Sequence, residues 1–125
     1  MPMNIENVFK TILDCSFKVH TALGPGLLES SYEECLFYEL QEAGLKVEKQ
    51  KALPLIYKDI KLEAGYRIDL YVESCIIVEL KSIESLAEIH LAQILTYMKL
   101  SESKLGLLVN FNVPHLKDGI KRVIL

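Results

Sequence analysis

The sequence lacks the features that would place it at once in several classes of protein. Among its 125 residues there are only three cysteines, Cys15, Cys35 and Cys75, and they lie far apart. Zinc sites need close pairs of cysteine or histidine, so we expect three buried free thiols. An odd number of scattered cysteines, without the hydrophobic segment of a signal peptide, favours a reducing, cytoplasmic location.

Long apolar runs and linkers are absent as well. No stretch approaches the roughly 20 apolar residues that span a bilayer, so we expect no membrane segment. No internal repeat and no proline- or serine-rich linker divides the chain, and half of its residues are hydrophobic. We therefore expect one domain over residues 1–125, which is long enough to bury a genuine core.

Excess positive charge is missing too. The formal net charge is −3, which argues against a protein that coats nucleic acid nonspecifically, because that mode of binding neutralises many phosphates. One segment is nevertheless locally basic and contains Lys46, Lys49, Lys51, Lys58 and Lys61. Such a run is typical of a solvated edge strand, although a nucleic-acid contact is also open.

What the sequence does contain is a regular order of amphipathic segments, beginning with two helices. Apolar residues at helical spacing predict one helix over residues 4–23 and a second from residue 27 to Gly44. The predicted buried stripe of the second helix consists of Leu28, Tyr32, Leu36 and Leu40. Gly24-Pro25-Gly26 follows a helix rather than a strand, so we interpret it as a connector and not as a phosphate-binding loop.

Three strands are predicted next, over residues 46–58, 66–72 and 75–81, and Pro54 indicates that the first is an edge strand or bulged. A capping-box pattern that starts at Ser85 predicts a third helix to about residue 100.

Residues 105–111 fit a buried fourth strand parallel to the third, and residues 121–125 fit a closing strand. The order helix, helix, three strands, helix, strand predicts an α/β fold of the α+β type, with helices flanking a central mixed sheet.

Two carboxylates face each other across the predicted hairpin. If the hairpin is centred on Ser74, Asp69 lies opposite Glu79, and Arg67 lies opposite Lys81. The same register sends alternate residues to the core, namely Ile68, Leu70, Val72, Ile76, Val78 and Leu80. Facing carboxylates repel unless a cation lies between them, which predicts a divalent metal. The alternative is that Glu79 and Lys81 are solvated and pair with Arg67.

Mg²⁺, or Mn²⁺ in its place, takes carboxylate ligands together with water and substrate phosphate. Asp69 and Glu79 fit that demand, and the backbone carbonyl of Leu80 is a third candidate ligand. Lys81 follows on the same strand face as Glu79, where its ammonium group can activate an attacking water or stabilise negative charge on phosphorus.

The predicted helices contribute further candidates. Glu29 begins the second helix, and Gln93 and Tyr97 lie one turn apart on the third. Each has a simpler explanation, since an acid at a helix start suits the macrodipole and the other two residues can form a polar pair at the edge of the core. We expect His20 and His90 to be ordinary helix histidines, because neither has a partner at metal-ligand spacing.

The segment Gly26-Leu27-Leu28-Glu29-Ser30-Ser31-Tyr32 spells Gly-x-x-Glu-x-x-Tyr, and the chain around it resembles the GxxExxY family of small proteins. That family is placed in the PD-(D/E)XK nuclease-like superfamily. The resemblance implies that Asp69 and Glu79-Leu80-Lys81 form the superfamily's Asp…Glu-x-Lys signature, although Ile68 stands where proline often precedes the aspartate. It also implies that Glu29 is the first-helix acid.

The segment from Gln93 to Tyr97 resembles the Gln-x-x-x-Tyr element of the RecB-like and exonuclease branches, which implies that both residues orient the lysine or the substrate phosphate. The implied fold is a restriction-endonuclease-like core with one extra N-terminal helix. The implied activity is Mg²⁺- or Mn²⁺-dependent hydrolysis of nucleic acid, with DNA the favoured substrate and water the nucleophile.

A noncatalytic module is the alternative. The acidic net charge and small size leave little room for a DNA-clamping subdomain, so a protein that keeps the fold and only binds a protein or nucleic acid is also compatible with the sequence. A homodimer or a larger complex is compatible as well.

Overall fold

The computed structural model describes residues 4–125 and begins with two helices, as predicted. Helix α1 spans Ile5–Leu23, and the Asn4 side chain caps it by accepting hydrogen bonds from two backbone N–H groups of the first turn. Helix α2 spans Glu29–Glu42. Leu28, which was expected on the buried stripe of α2, precedes the helix instead and is 73% exposed.

The connector between α1 and α2 is held by Tyr32. Its buried hydroxyl donates to the Gly24 carbonyl at 2.6 Å and accepts from the Leu27 backbone N–H at 3.1 Å. Its ring stacks on Phe111, with 4.7 Å between the ring centroids. Because these contacts fix the chain just before α2, Tyr32 sets the position of Glu29 at the start of that helix.

The region predicted as one strand over residues 46–58 forms two strands. Strand β1 spans Val47–Ala52 and is an edge strand of the main sheet, as Pro54 indicated. Strands β2 (Leu55–Tyr57) and β3 (Ile60–Leu62) pair only with each other, in a separate two-stranded sheet. The single-strand prediction was wrong because proline lacks the N–H that would continue the ladder.

Strands β4 (Arg67–Val72) and β5 (Ile76–Lys81) form the expected antiparallel hairpin. The chain turns at Glu73 and Ser74, whose backbones are both left-handed, with φ of 52° and 53°. The ladder ends with the pair Leu70–Val78, in the predicted register.

Helix α3 spans Glu88–Ser101 and begins three residues later than predicted. Ser85 is not its cap. The backbone N–H of Ala87 donates instead to Nδ1 of His90 at 2.8 Å. His90 therefore has a capping role that the sequence analysis did not assign to it.

Strands β6 (Leu105–Asn110) and β7 (Ile120–Ile124) complete the main sheet, whose order is β1-β4-β5-β6-β7. β6 is parallel to β5, as predicted, and the other neighbours are antiparallel. Over residues 4–125 the resulting architecture is α+β, with three α-helices and a mixed five-stranded sheet.

Two hydrophobic cores lie against this sheet, one containing side chains of α1 and α2 and the other containing side chains of α3. All six predicted core residues of the hairpin are buried. Five of them lie in the first core, but Ile68 packs in the second, which corrects the prediction of a single shared face. The regular alternation of β4 is interrupted at the next residue, Asp69, which is missing from both of its ladders.

The three cysteines are free thiols, although only Cys15 is fully buried. Within residues 4–125, no helix combines the length and the apolar character needed to cross a membrane.

Candidate active site

The β4–β5 hairpin opens where its two carboxylates lie. Beyond the pair Leu70–Val78, the hydrogen bonds between β4 and β5 join backbone N–H groups to side-chain carboxylates and not to backbone carbonyls. The Asp69 N–H donates to Oε2 of Glu79 at 2.8 Å, and the Leu80 N–H donates to Oδ2 of Asp69 at 2.9 Å. Each carboxylate thus takes the place of a backbone carbonyl on the facing strand, which brings Asp69 and Glu79 together as their register predicted.

The environment of these carboxylates disfavours negative charge. Glu79 is only 4% exposed, and burial, followed by the charge of Asp69, raises its pKa from 4.5 to about 8. Burial also raises the pKa of Asp69, although the hydrogen bonds from Leu80 and Gln50 oppose that rise. The alternative of a solvated Glu79 is therefore wrong.

A second distortion lies on the other side of Asp69, at Gln50 of β1. Gln50 has a left-handed backbone, with φ of 53°, and the pair Gln50–Asp69 is missing from an otherwise regular β1–β4 ladder. The Gln50 amide donates to Oδ1 of Asp69 at 3.3 Å and to Oε1 of Glu33 at 2.7 Å. Arg67, which was expected opposite Lys81, donates to the Gln50 carbonyl at 3.3 Å.

Helix α2 brings two carboxylates to the site, of which only Glu29 was predicted. Partial burial raises the pKa of Glu29; the charge of Lys81 lowers it and that of Asp69 raises it. Burial and the charge of Asp69 likewise raise the pKa of Glu33. Glu33 lies one helical turn after Glu29, and this spacing of two acids on one helix face is the signal that would have identified it.

Lys81 is linked to α3 by hydrogen bonds. Its Nζ donates to Oε1 of Gln93 at 3.4 Å, and Nε2 of Gln93 donates to the Tyr97 hydroxyl at 3.3 Å. Burial raises the pKa of Tyr97, and the charges of Glu79 and Asp69 raise it further. The predicted residues of α3 therefore lie close to both the lysine and the two carboxylates.

The Leu80 carbonyl points from β5 towards β4. The N–H and C=O of one strand residue point the same way, and the Leu80 N–H bonds to Asp69. The Lys81 carbonyl points the opposite way and accepts from the Phe111 N–H at 2.9 Å. The Leu80 carbonyl therefore lies on the same side of β5 as the Asp69 carboxylate.

These oxygen donors suit a hard divalent cation such as Mg²⁺ or Mn²⁺. The raised pKa of Glu79 is consistent with a cation site, because a bound cation would supply the positive charge that stabilises this buried carboxylate. Over the described range 4–125, however, the acidic, histidine and cysteine side chains form no group of three or more that could hold a metal by itself. Water and substrate oxygens would have to complete the coordination, as is usual for Mg²⁺.

The left-handed backbone of Gln50 leads to a prediction about stability. We expect Gln50→Gly to unfold at higher urea concentration than Gln50→Ala, by about 1 kcal/mol in the free energy of unfolding, because glycine adopts this conformation without strain. Both variants lose the hydrogen bonds to Asp69 and Glu33, so the comparison isolates the backbone. Equal stability of the two variants in chelator would contradict the prediction.

Comparison with known proteins bears on the whole chain. A family model described as the PD-(D/E)XK nuclease superfamily matches residues 6–123, while no curated protein and no solved structure matches the chain. The matched range begins in α1 and ends in β7, so it includes the main sheet and the three α-helices except for the first residue of α1 and the last residue of β7. The observed fold is consistent with the restriction-endonuclease-like fold of that superfamily. This chain belongs to the PD-(D/E)XK nuclease superfamily.

Proposed function

We propose that this protein is a metal-dependent nuclease that hydrolyses phosphodiester bonds in nucleic acid, with DNA the favoured substrate. The observation that supports this most strongly is the convergence of Asp69, Glu79 and Lys81 at the open end of the β4–β5 hairpin. Membership of the superfamily adds weight, since PD-(D/E)XK nucleases generally use divalent metals. In this proposal the nuclease is one domain that covers residues 1–125.

Each residue of the site has a proposed role. Asp69, Glu79 and the Leu80 carbonyl would hold Mg²⁺ or Mn²⁺, and the bound ion would polarise the phosphate and lower the pKa of a water ligand. Lys81 would orient the attacking water and stabilise the negative charge that develops on phosphorus. Glu29 would contact the metal through water or complete a second site.

Gln93 and Tyr97 are proposed as positioning residues for Lys81. The amide of Gln93 accepts from the lysine ammonium group and donates to the Tyr97 hydroxyl, so it restricts the directions that Nζ can take. A lysine side chain that is already held in one direction loses less conformational entropy when it contacts the reacting phosphate.

The proposal is tested with metal and substrate together. Wild-type protein should bind Mg²⁺ or Mn²⁺ in a calorimetric titration and cleave labelled DNA or RNA with either metal but not in EDTA. Asp69→Ala should weaken metal binding by about tenfold or more, because it removes a direct ligand. Wild-type protein that binds neither metal and cuts neither polymer, assayed in its native oligomeric state, would favour the noncatalytic binding module.

A further inference from the structure

A mostly apolar cavity adjoins the candidate active site. It has a volume of about 270 Å³, just below the usual range of roughly 300–1,000 Å³ for small-molecule sites. Residues of α3 line it together with Leu55 of β2 and Tyr66, which immediately precedes β4. The cavity is therefore of a size for one flat ring system and not for a folded peptide or a duplex.

This cavity is lined in part by residues that are proposed to assist catalysis. Gln93 and Tyr97 line it, and the same two side chains form the hydrogen-bonded chain to Lys81. Only the Gln93 side chain would therefore separate a group bound in the cavity from the Lys81 ammonium group.

The cavity also offers an aromatic surface with polar groups at its edge. Tyr66 is 44% exposed, and its ring centroid lies 6.3 Å from that of Tyr97, with the ring planes inclined by 58°. Two polar residues of α3, Gln93 and Thr96, are exposed and line the cavity. A flat apolar ligand with hydrogen-bonding groups on its rim matches this combination.

We propose that the cavity binds one unpaired nucleobase of a single-stranded nucleic acid, beside the phosphate that Lys81 addresses. Exposed aromatic rings stack on unpaired bases in single-strand sites, whereas bases in a duplex are already stacked on both faces. The Lys81 ammonium group, which bonds to the Gln93 side chain at the edge of the cavity, can contact a backbone phosphate of the same strand.

This inference rests on the proposed nuclease function for the adjacent phosphate, and it specifies the substrate as single-stranded. The test measures binding of full-length protein to fluorescent oligonucleotides by anisotropy, with Ca²⁺ in place of Mg²⁺ to suppress turnover. The probes are an oligothymidylate of about ten nucleotides, within the range that single-strand sites cover, its RNA counterpart, a matching duplex and an abasic strand of equal length.

Wild-type protein should prefer at least one of the two single strands over the duplex and the abasic strand. Tyr66→Ala should weaken binding of the preferred strand by about tenfold, the effect expected for the loss of one stacked base. Tyr66→Phe should bind as the wild type does, since it keeps the ring. The control variant is Tyr38→Ala, which removes a tyrosine that is 60% exposed on α2, away from the cavity, and should have no effect.

A second variant tests the same cavity in case Tyr66→Ala does not fold. Ala92 is an exposed residue of α3 that lines the cavity, and Ala92→Leu fills part of the space with a residue that favours helix. It should lower affinity for the single strand about as much as Tyr66→Ala does, and circular dichroism should show that both variants are folded.

The inference is overturned if both folded variants bind the single strand as tightly as wild type, or if they weaken duplex and abasic binding equally. Cleavage is measured separately with Mg²⁺. Wild-type cleavage with no effect of either variant on binding would refute the base site and leave the nuclease function standing. Specific single-strand binding without any cleavage would refute the nuclease function and leave the base site standing.

Discussion

Lys81→Ala is expected to reduce metal-dependent cleavage of nucleic acid by about 10²- to 10⁴-fold, the contribution that a positioned acid–base group usually makes. The lysine is half-buried at the end of β5, and its ammonium group interacts with Gln93 beside the two carboxylates. Its removal should lower kcat with little change in stability, because a residue at the rim of a strand contributes little to the core.

The matched control is Lys10→Ala, which removes a lysine that is 74% exposed on α1 and pairs with Asp14 one helical turn away. That variant should cleave as the wild type does. Binding of nucleic acid should survive Lys81→Ala, with at most a modest loss from one phosphate contact. A Lys81→Ala variant that cleaves at the wild-type rate would remove this lysine from the mechanism.

In chelator, the protein is expected to become less stable as the pH rises from about 5 to about 8. The pKa of Glu79 is about 8 in the folded protein, against 4.5 for the ordinary carboxyl group. Between these values the unfolded chain has lost the proton and the folded chain retains it, so each increase in pH favours unfolding. The pKa values of Asp69, Glu29 and Glu33 are raised in the same direction.

The size of this effect follows from the difference between the two pKa values. Each unit corresponds to about 1.36 kcal/mol, so Glu79 alone accounts for a loss of up to about 5 kcal/mol by pH 8. Urea unfolding in EDTA at several pH values measures it. A metal that binds the charged carboxylates of the folded state should oppose the loss, so addition of Mg²⁺ should stabilise the protein most at high pH.

Glu79→Gln should remove most of this pH dependence and make the protein more stable than wild type at pH 8 in chelator, because the amide carries no charge to bury. The control is Glu63→Gln, which changes an exposed carboxyl group and should leave the pH dependence intact. Stability that rises with pH over this range in the wild type would show that Glu79 is charged in the folded, metal-free protein.

The central hairpin was predictable because its information is local. Apolar residues at alternate positions over 66–72 and 75–81, with a polar break between the two runs, specify two strands, and their register places Asp69 beside Glu79. Helix α2, which carries Glu29, was predictable because apolar spacing at helical period persists over several turns. Helix α3, which carries Gln93 and Tyr97, was predicted from a capping-box pattern at Ser85, and its cap lies at Ala87 instead.

The remaining features depend on contacts between distant segments. Gln50 reaches Asp69 only because β1 and β4 are neighbours, and it reaches Glu33 only because α2 packs over the same edge. The separate β2–β3 sheet and the position of Ile68 in the second core likewise depend on where the pairing between strands is interrupted. The spacing of apolar residues in the sequence does not indicate those interruptions.

By itself, the sequence determined the order of the main elements and the register of the β4–β5 hairpin, because periodicity and burial act along a few consecutive residues. It also supplied six candidate side chains, of which Glu29, Gln93 and Tyr97 received their roles from the family resemblance. Only the tertiary structure decided how the sheet opens at Asp69, which side chains from α2 and β1 join it and where a cavity is left beside Lys81. Such features arise when segments far apart in sequence are packed together, because buried polar groups then find hydrogen-bond partners on those distant segments.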